Sequence, residues 1–115
     1  MPPMILIIEP RHEVATALEE VLASASYATM VRPHLERLAD LGATPAAIVV
    51  RIAFEGREPA HFAIERLPPN RPPIVAIAWD EAEVAEANRL KCDVVLRGPR
   101  DVSHLCEVLR RIVRV

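Results

Sequence analysis

The sequence has almost no aromatic residues: two phenylalanines, one tyrosine and one tryptophan, 3% of 115 positions. A core must therefore come from Val, Ile, Leu and Ala, a palette that suits parallel strands covered by helices on both faces. Only two cysteines occur, Cys92 and Cys106. Neither belongs to a Cys-x-x-Cys pair and no histidine stands at zinc-finger spacing from them, so a disulfide framework and a structural zinc site are both set aside. They read as reduced thiols that pack as small apolar groups. There is no Gly-rich loop to cradle a phosphate. His12, His34, His61 and His104 are scattered, with no HExxH spacing, and read as surface positions; no metal or cofactor is expected. No apolar run approaches the roughly 20 residues of a membrane span. The opening Met1-Pro2-Pro3-Met4 lacks the basic stretch of a signal peptide. A cytoplasmic protein with no membrane contact is the expectation. The net charge of −2 gives no general attraction to nucleic acid, and no basic recognition helix is evident, so none is expected to bind through this chain.

What is present is a large apolar fraction, 51%, enough to bury a core in a chain of single-domain length. Met4 to Ile8 is a short continuous apolar run, as expected of a strand buried on both faces. Glu9-Pro10 ends it. From His12 to Ala25 the period changes to that of a helix, with Val14, Leu18, Val21 and Leu22 on one stripe. Tyr27 to Val31 reads as a weak second strand. Pro33 opens a second helix carrying Leu35, Leu38 and Leu41, and Gly42 stops it. Ala46 to Ile52 is a strong third strand. A loop with Gly56 and a short helix from about Pro59 to Leu67 follow. Pro68-Pro69 and Pro72-Pro73 forbid helix. Ile74 to Ala78 is the fourth strand, and Asp80 or its neighbour caps a helix to about Leu90. Asp93 to Leu96 is the fifth strand, Gly98-Pro99 turns the chain, and Asp101 or Ser103 starts a last helix ending near Val113. The pattern is (βα)5. Crossovers of this length imply an α/β, doubly wound parallel sheet, and five such units fit the flavodoxin-like strand order 2-1-3-4-5, with ligands at the carboxyl ends of the strands.

The segments MILIIEP, AAIVVRI, PPIVAIAW and DVVLRGP, at their spacing, resemble the strands of the receiver domain of bacterial two-component response regulators, and the resemblance covers nearly the whole chain. In that family the strand ends carry an acidic pair, a phosphoacceptor aspartate, a Thr or Ser, and a lysine. Here the resemblance places Glu9 and Pro10 at the acidic pair, Arg51 at the phosphoacceptor, Ala78 at the Thr/Ser and Arg97 at the lysine. The aromatic switch position falls on Val94. Only Glu9 keeps the family's chemistry, and Arg97 keeps only its charge. An arginine cannot act as a carboxylate nucleophile and cannot lose its charge. Where Mg²⁺ needs carboxylate oxygens, Arg51 supplies a positive charge. The resemblance together with these substitutions implies a non-phosphorylatable pseudo-receiver, not an enzyme, that works by binding a signalling protein.

Three readings of the altered pocket stand side by side. Arg51 and Glu9 could form an ion pair across neighbouring strands. Arg51 and Arg97 could attract a small anion or a nucleotide phosphate. Both arginines could point to solvent. Glu55 and Glu58 lie in the loop after Arg51, as salt-bridge partners for it or as a solvated loop. Trp79, the only tryptophan, is either an anchor for a partner, or a lid on the pocket or a packing residue on the fourth helix. The fourth helix is acidic, through Asp80, Glu81, Glu83 and Glu86. The last helix is basic at its end, through Arg110, Arg111 and Arg114. This distribution complements the helix dipoles. It also suits a homodimer that pairs the face of the fourth helix, fifth strand and fifth helix with itself, a face that receiver domains commonly use. Trp79, Glu83, Glu86, Val94, Arg110 and Arg111 are the candidate interaction residues.

Overall fold

The computed structural model describes residues 3–33, 41–52, 64, 67–98 and 100–113. Five strands, β1 (Met4–Ile8), β2 (Ala28–Arg32), β3 (Ala47–Arg51), β4 (Ile74–Ala78) and β5 (Val94–Arg97), form one sheet in the order β2-β1-β3-β4-β5. Every neighbouring pair is parallel, so each strand is reached by a crossover. Helix α1 (His12–Ser24) joins β1 to β2, and α2 (Glu81–Arg89) joins β4 to β5. After β5 a 3-10 turn, Arg100–His104, leads into α3 (Leu105–Ile112). Thus α2 is the fourth helix of the sequence pattern and α3 its last. The second and third expected helices, with Leu35, Leu38, Gly56 and most of the segment from Pro59 to Leu67, lie outside the described residues. Among the described residues no helix is long and apolar enough to cross a membrane.

The continuous apolar runs have a direct cause in this architecture. Alternate residues of each strand point to opposite faces of the sheet, and both faces are covered. Ile5, Ile7, Val49, Val75 and Ile77 pack against Leu18 and Leu22 of α1 and Leu105 and Leu109 of α3. Leu6, Ile8, Ile48, Val50 and Ala76 pack on the other side with Ala87 and Leu90, at the end of α2. The edge strand β2 is only half-buried, which explains its weak apolar signal and the one-residue shift of its bounds. Val21, placed on the inward stripe of α1 by its spacing, is 41% exposed. Leu18 and Leu22 take the core positions instead.

The helix ends follow local chemistry. The Glu83 N–H donates to Asp80 Oδ1 (2.8 Å), so Asp80 caps α2, and the Trp79 N–H, one residue before the cap, donates to Glu83 Oε1 (2.9 Å). Both α1 and α2 end in left-handed residues that are not glycine, Ser26 (φ 69°) and Lys91 (φ 60°). The Tyr27 N–H reaches Leu22 O and the Cys92 N–H reaches Ala87 O (3.0 and 3.2 Å), the six-to-one bond of a Schellman end. The last helix departs from the expectation of an α start at Asp101 or Ser103. Asp101 Oδ2 accepts the Arg97 N–H (3.0 Å) at the end of β5, and the chain passes through the 3-10 turn before becoming α-helical. Such tighter turns are frequent at helix starts.

At the amino ends of β4 and β5, Arg71 ties the sheet together. It donates to Asp93 Oδ2 (2.9 Å), Lys91 O (2.8 Å) and Pro72 O (3.2 Å), while the Ile74 N–H donates to the same Asp93 oxygen (2.7 Å). Burial acts to raise the Asp93 carboxyl, but the Ile74 N–H and the Arg71 guanidinium outweigh it and hold its pKa below the usual aspartate value. Beside it, burial pushes the Cys92 thiol up to about 11.

Candidate functional site

The carboxyl ends of β1, β3 and β4 meet a groove between α1 and the 3-10 turn, a cavity of about 330 Å³. Glu9, Arg51 and Trp79 border it at the strand ends, and Val14, Leu18 and Val21 of α1 form one wall. Ile77 and Val102 lie opposite. Gly98 permits this closure. A Cβ there would stand 3.3 Å from Cγ2 of both Ile77 and Val102 and 3.9 Å from the Trp79 ring.

Glu9 follows β1 and is buried, 2% exposed. Its Oε1 accepts the Arg11 N–H (2.9 Å), and its own N–H donates to Arg32 O (3.1 Å). Pro10 sits exposed in the bend beside it. Arg51 is the last residue of β3 and is half-buried. Its guanidinium lies over the Trp79 ring, 5.3 Å from the centroid, and its Nε is buried with no hydrogen-bond partner. Among the described residues Arg51 forms no ion pair, so the Glu9–Arg51 bridge considered from sequence is absent. The Arg11 N–H takes one Glu9 oxygen, and the indole face takes the guanidinium. Glu55 and Glu58 lie outside the described residues. Trp79 borders the groove at the strand ends while remaining 42% exposed.

Ala78 and Arg97 stand apart from this groove. Ala78 is wholly buried at the end of β4, and its carbonyl accepts the Gly98 N–H (2.9 Å). Arg97 is exposed and ion-paired with Glu81 at the start of α2. Arg97 does not border the groove that Arg51 borders.

The candidate interaction residues divide in the same way. Glu83 is buried, and its carboxylate is spent on the α2 cap, so it presents no acid to a partner. Val94 packs into the core face of α1 and α3. Glu86 bonds Arg89 within α2, and Arg111 bonds Glu107 within α3 (2.9 Å). Arg110 is exposed; Arg114 lies outside the described residues. The α1 wall was not singled out from sequence as part of the site. The available signal was an apolar stripe one residue wider than the core requires, Val21 beside Val14, Leu18 and Leu22.

As a site for a divalent cation the strand ends fit poorly. Mg²⁺ takes hard oxygen ligands in an octahedral set; here Glu9 stands beside Pro10, which has no side-chain donor, and Arg51 brings a guanidinium. Among the described residues no group of three or more His, Cys, Asp or Glu side chains is placed to hold a metal ion.

No family model and no curated protein sequence matches the chain. Solved structures do. A response-regulator signal receiver domain from Bermanella marisrubri superposes with a TM-score of 0.79 at 19% identity, over 99% of this chain and 100% of that one. A response regulator receiver protein from Burkholderia phymatum gives 0.77 at 20% identity, over 96% and 94%. The signal receiver domain of a signal transduction histidine kinase from Syntrophus aciditrophicus gives 0.79 at 18% identity, over 96% and 89%. Sheet order and flanking helices agree with these structures along almost the whole length, and the chain has the flavodoxin-like fold of response-regulator receiver domains.

Proposed function

We propose that the chain is a pseudo-receiver: a receiver-type domain without phosphoryl chemistry that acts as a protein-interaction module in a bacterial two-component-type pathway. The observation that carries this reading is Arg51 at the end of β3, with its guanidinium stacked on Trp79. A phosphoacceptor there needs a carboxylate nucleophile. A guanidinium is always charged, has no lone pair to attack with, and repels the cation that would assist transfer. Glu9 alone among the five strand-end residues carries an acid. Control then comes from partner abundance, oligomerisation or a ligand, and the domain is not an enzyme.

The partner is a signalling protein, with a homodimer through α2, β5 and α3 as one form of the contact. On that face Arg110 is exposed, while the Glu86–Arg89 and Arg111–Glu107 pairs are closed within their own helices. Paired charges on a rim steer an encounter more than they hold it. The rival idea, an anion or nucleotide held between Arg51 and Arg97, is weakened by the Arg97–Glu81 pair.

The deciding experiment is an amide NMR titration with Mg²⁺, then Mg²⁺ with beryllofluoride. Under this reading the resonances of Glu9, Arg51, Ala78 and Arg97 stay fixed throughout. A saturable Mg²⁺-dependent shift at these positions refutes the loss of phosphoryl chemistry. Affinity capture from the native host tests the second half: a strictly monomeric protein that recovers no signalling partner contradicts the interaction role.

A further inference from the structure

Among the described residues two large apolar side chains stand in solvent, Val21 and Trp79. Both border the same groove. Its volume, about 330 Å³, lies in the range of small-molecule sites, which bury an apolar body and fix it with a few polar groups. Along α1 the wall is Val14, Leu18 and Val21, spaced i, i+4, i+7 on one face. At 1.5 Å rise per residue that stripe runs for about 10 Å. The polar groups gather at one end, where β1 and β3 finish.

At that end Arg51 is the group left with unmet bonding capacity. Its Nε is buried without a hydrogen-bond partner, and among the described residues no acid pairs with it. A desolvated guanidinium N–H without an acceptor is costly, and a carboxylate is the acceptor whose geometry matches its fork. The acids nearby limit the ligand's charge. Glu9 holds the Arg11 N–H through Oε1, and Glu13 is exposed at the rim in the first turn of α1. A phosphate or nucleotide carrying two or more negative charges would face both of them as well as Arg51. A single negative charge meets the least of that repulsion while still pairing with Arg51.

We propose that this groove is a binding site for a small amphipathic monocarboxylate. Its head group pairs with Arg51 beneath the Trp79 lid, and its apolar chain lies along Val14, Leu18 and Val21. A chain of about eight carbons matches the length of that stripe. The site does not depend on the signalling role, because the groove and the unbonded Arg51 nitrogen stand whether or not a protein partner exists.

The test is a titration of Trp79 fluorescence, the single tryptophan signal, with octanoate, octanol, acetate and inorganic phosphate. It uses the wild-type protein, Arg51→Gln and Ala17→Phe. Ala17 is exposed on the groove wall, so Ala17→Phe fills the groove without entering the core. The expected result is a saturable octanoate response in the wild type, with octanol, acetate and phosphate each weaker by about tenfold or more. Arg51→Gln weakens octanoate by about tenfold and brings it level with octanol, and Ala17→Phe abolishes the response. Three results overturn the proposal: no saturation below about 1 mM octanoate, phosphate or octanol binding as tightly as octanoate, or Ala17→Phe binding octanoate unchanged. Far-UV circular dichroism establishes that each variant is folded. If Arg51→Gln is not folded, Ala17→Phe and the octanol comparison decide.

Discussion

The guanidinium of Arg51 and the indole of Trp79 are stacked at 5.3 Å, joining the end of β3 to the residue that follows β4. A cation over an indole face at a partly exposed site contributes about 0.5–1 kcal/mol. A double-mutant cycle with Arg51→Met and Trp79→Leu, followed by urea unfolding in far-UV circular dichroism, is expected to return a coupling energy of that size. Strictly additive single-variant effects would show that the stacking has no energetic content.

The α2 cap gives a second expectation. Asp80→Ala removes the acceptor of the Glu83 N–H and should cost about 1 kcal/mol. Glu83→Ala should cost a similar amount, because it leaves the part-buried Trp79 N–H without its acceptor. Equal stability of either variant and the wild type in chemical denaturation would contradict the assignment.

The two left-handed helix ends predict gains. Ser26 and Lys91 hold φ values of 69° and 60°, where a Cβ is unfavourable and glycine is not. Their side chains are exposed. Ser26→Gly and Lys91→Gly should each stabilise the fold by about 0.5–1 kcal/mol, read as a rise of about 3–6 °C in Tm. A fall in Tm for both would mean that side-chain contacts outweigh the backbone conformation.

Asp93 sets an acid limit. Its folded pKa lies below its ordinary value of 3.8, so its stabilising contribution is complete above that value. It is lost as pH falls through the lower folded value. Asp93→Asn should therefore lose less stability than the wild type as the pH drops from about 5 to about 3. Arg71→Ala should flatten the same profile and cost about 1–2 kcal/mol at neutral pH, discounted because the Asp93 carboxylate is partly exposed. Parallel stability–pH curves for the wild type and Asp93→Asn would rule this out.

Cys92 makes the last of these expectations. Burial carries its thiol from 9.0 to about 11, lowering the thiolate fraction at pH 8 by about a hundredfold relative to an ordinary thiol. Because a less acidic thiolate is also more nucleophilic, its reaction with a disulfide reagent in the folded protein should be slower than that of the unfolded chain by about tenfold. Equal rates would place Cys92 in solvent.

Legibility in the sequence followed the physics of each element. Strands β1 and β4 could be bounded to the residue because they are uninterrupted apolar runs closed by Glu9-Pro10 and opened by Pro72-Pro73. Strand β2 was blurred because a half-buried edge strand, ATMVR, has no continuous run to offer. The α2 cap was readable from residue type to within one neighbour of Asp80, whereas the 3-10 entry to α3 was not. That entry depends on Asp101 turning back to β5 and on the close approach of Val102 to Ile77 across Gly98. At the strand ends the identity of Arg51 was plain but its partner was not. Charge alone favours Glu9, while the observed contact is with an aromatic face. The groove lay hidden for a similar reason: α1 carries more apolar surface than the core absorbs, and spacing cannot say which valine is left over.

The sheet order leaves β2 and β5 with open edges, and each closes its carboxyl end with an exposed arginine, Arg32 and Arg97. With β5 only four residues long, neither margin offers, among the described residues, the long, flat, uncharged ladder on which a foreign strand could template. Two copies of this chain are thus poorly suited to fuse their sheets into one, and fibril-like stacking by strand exchange is disfavoured.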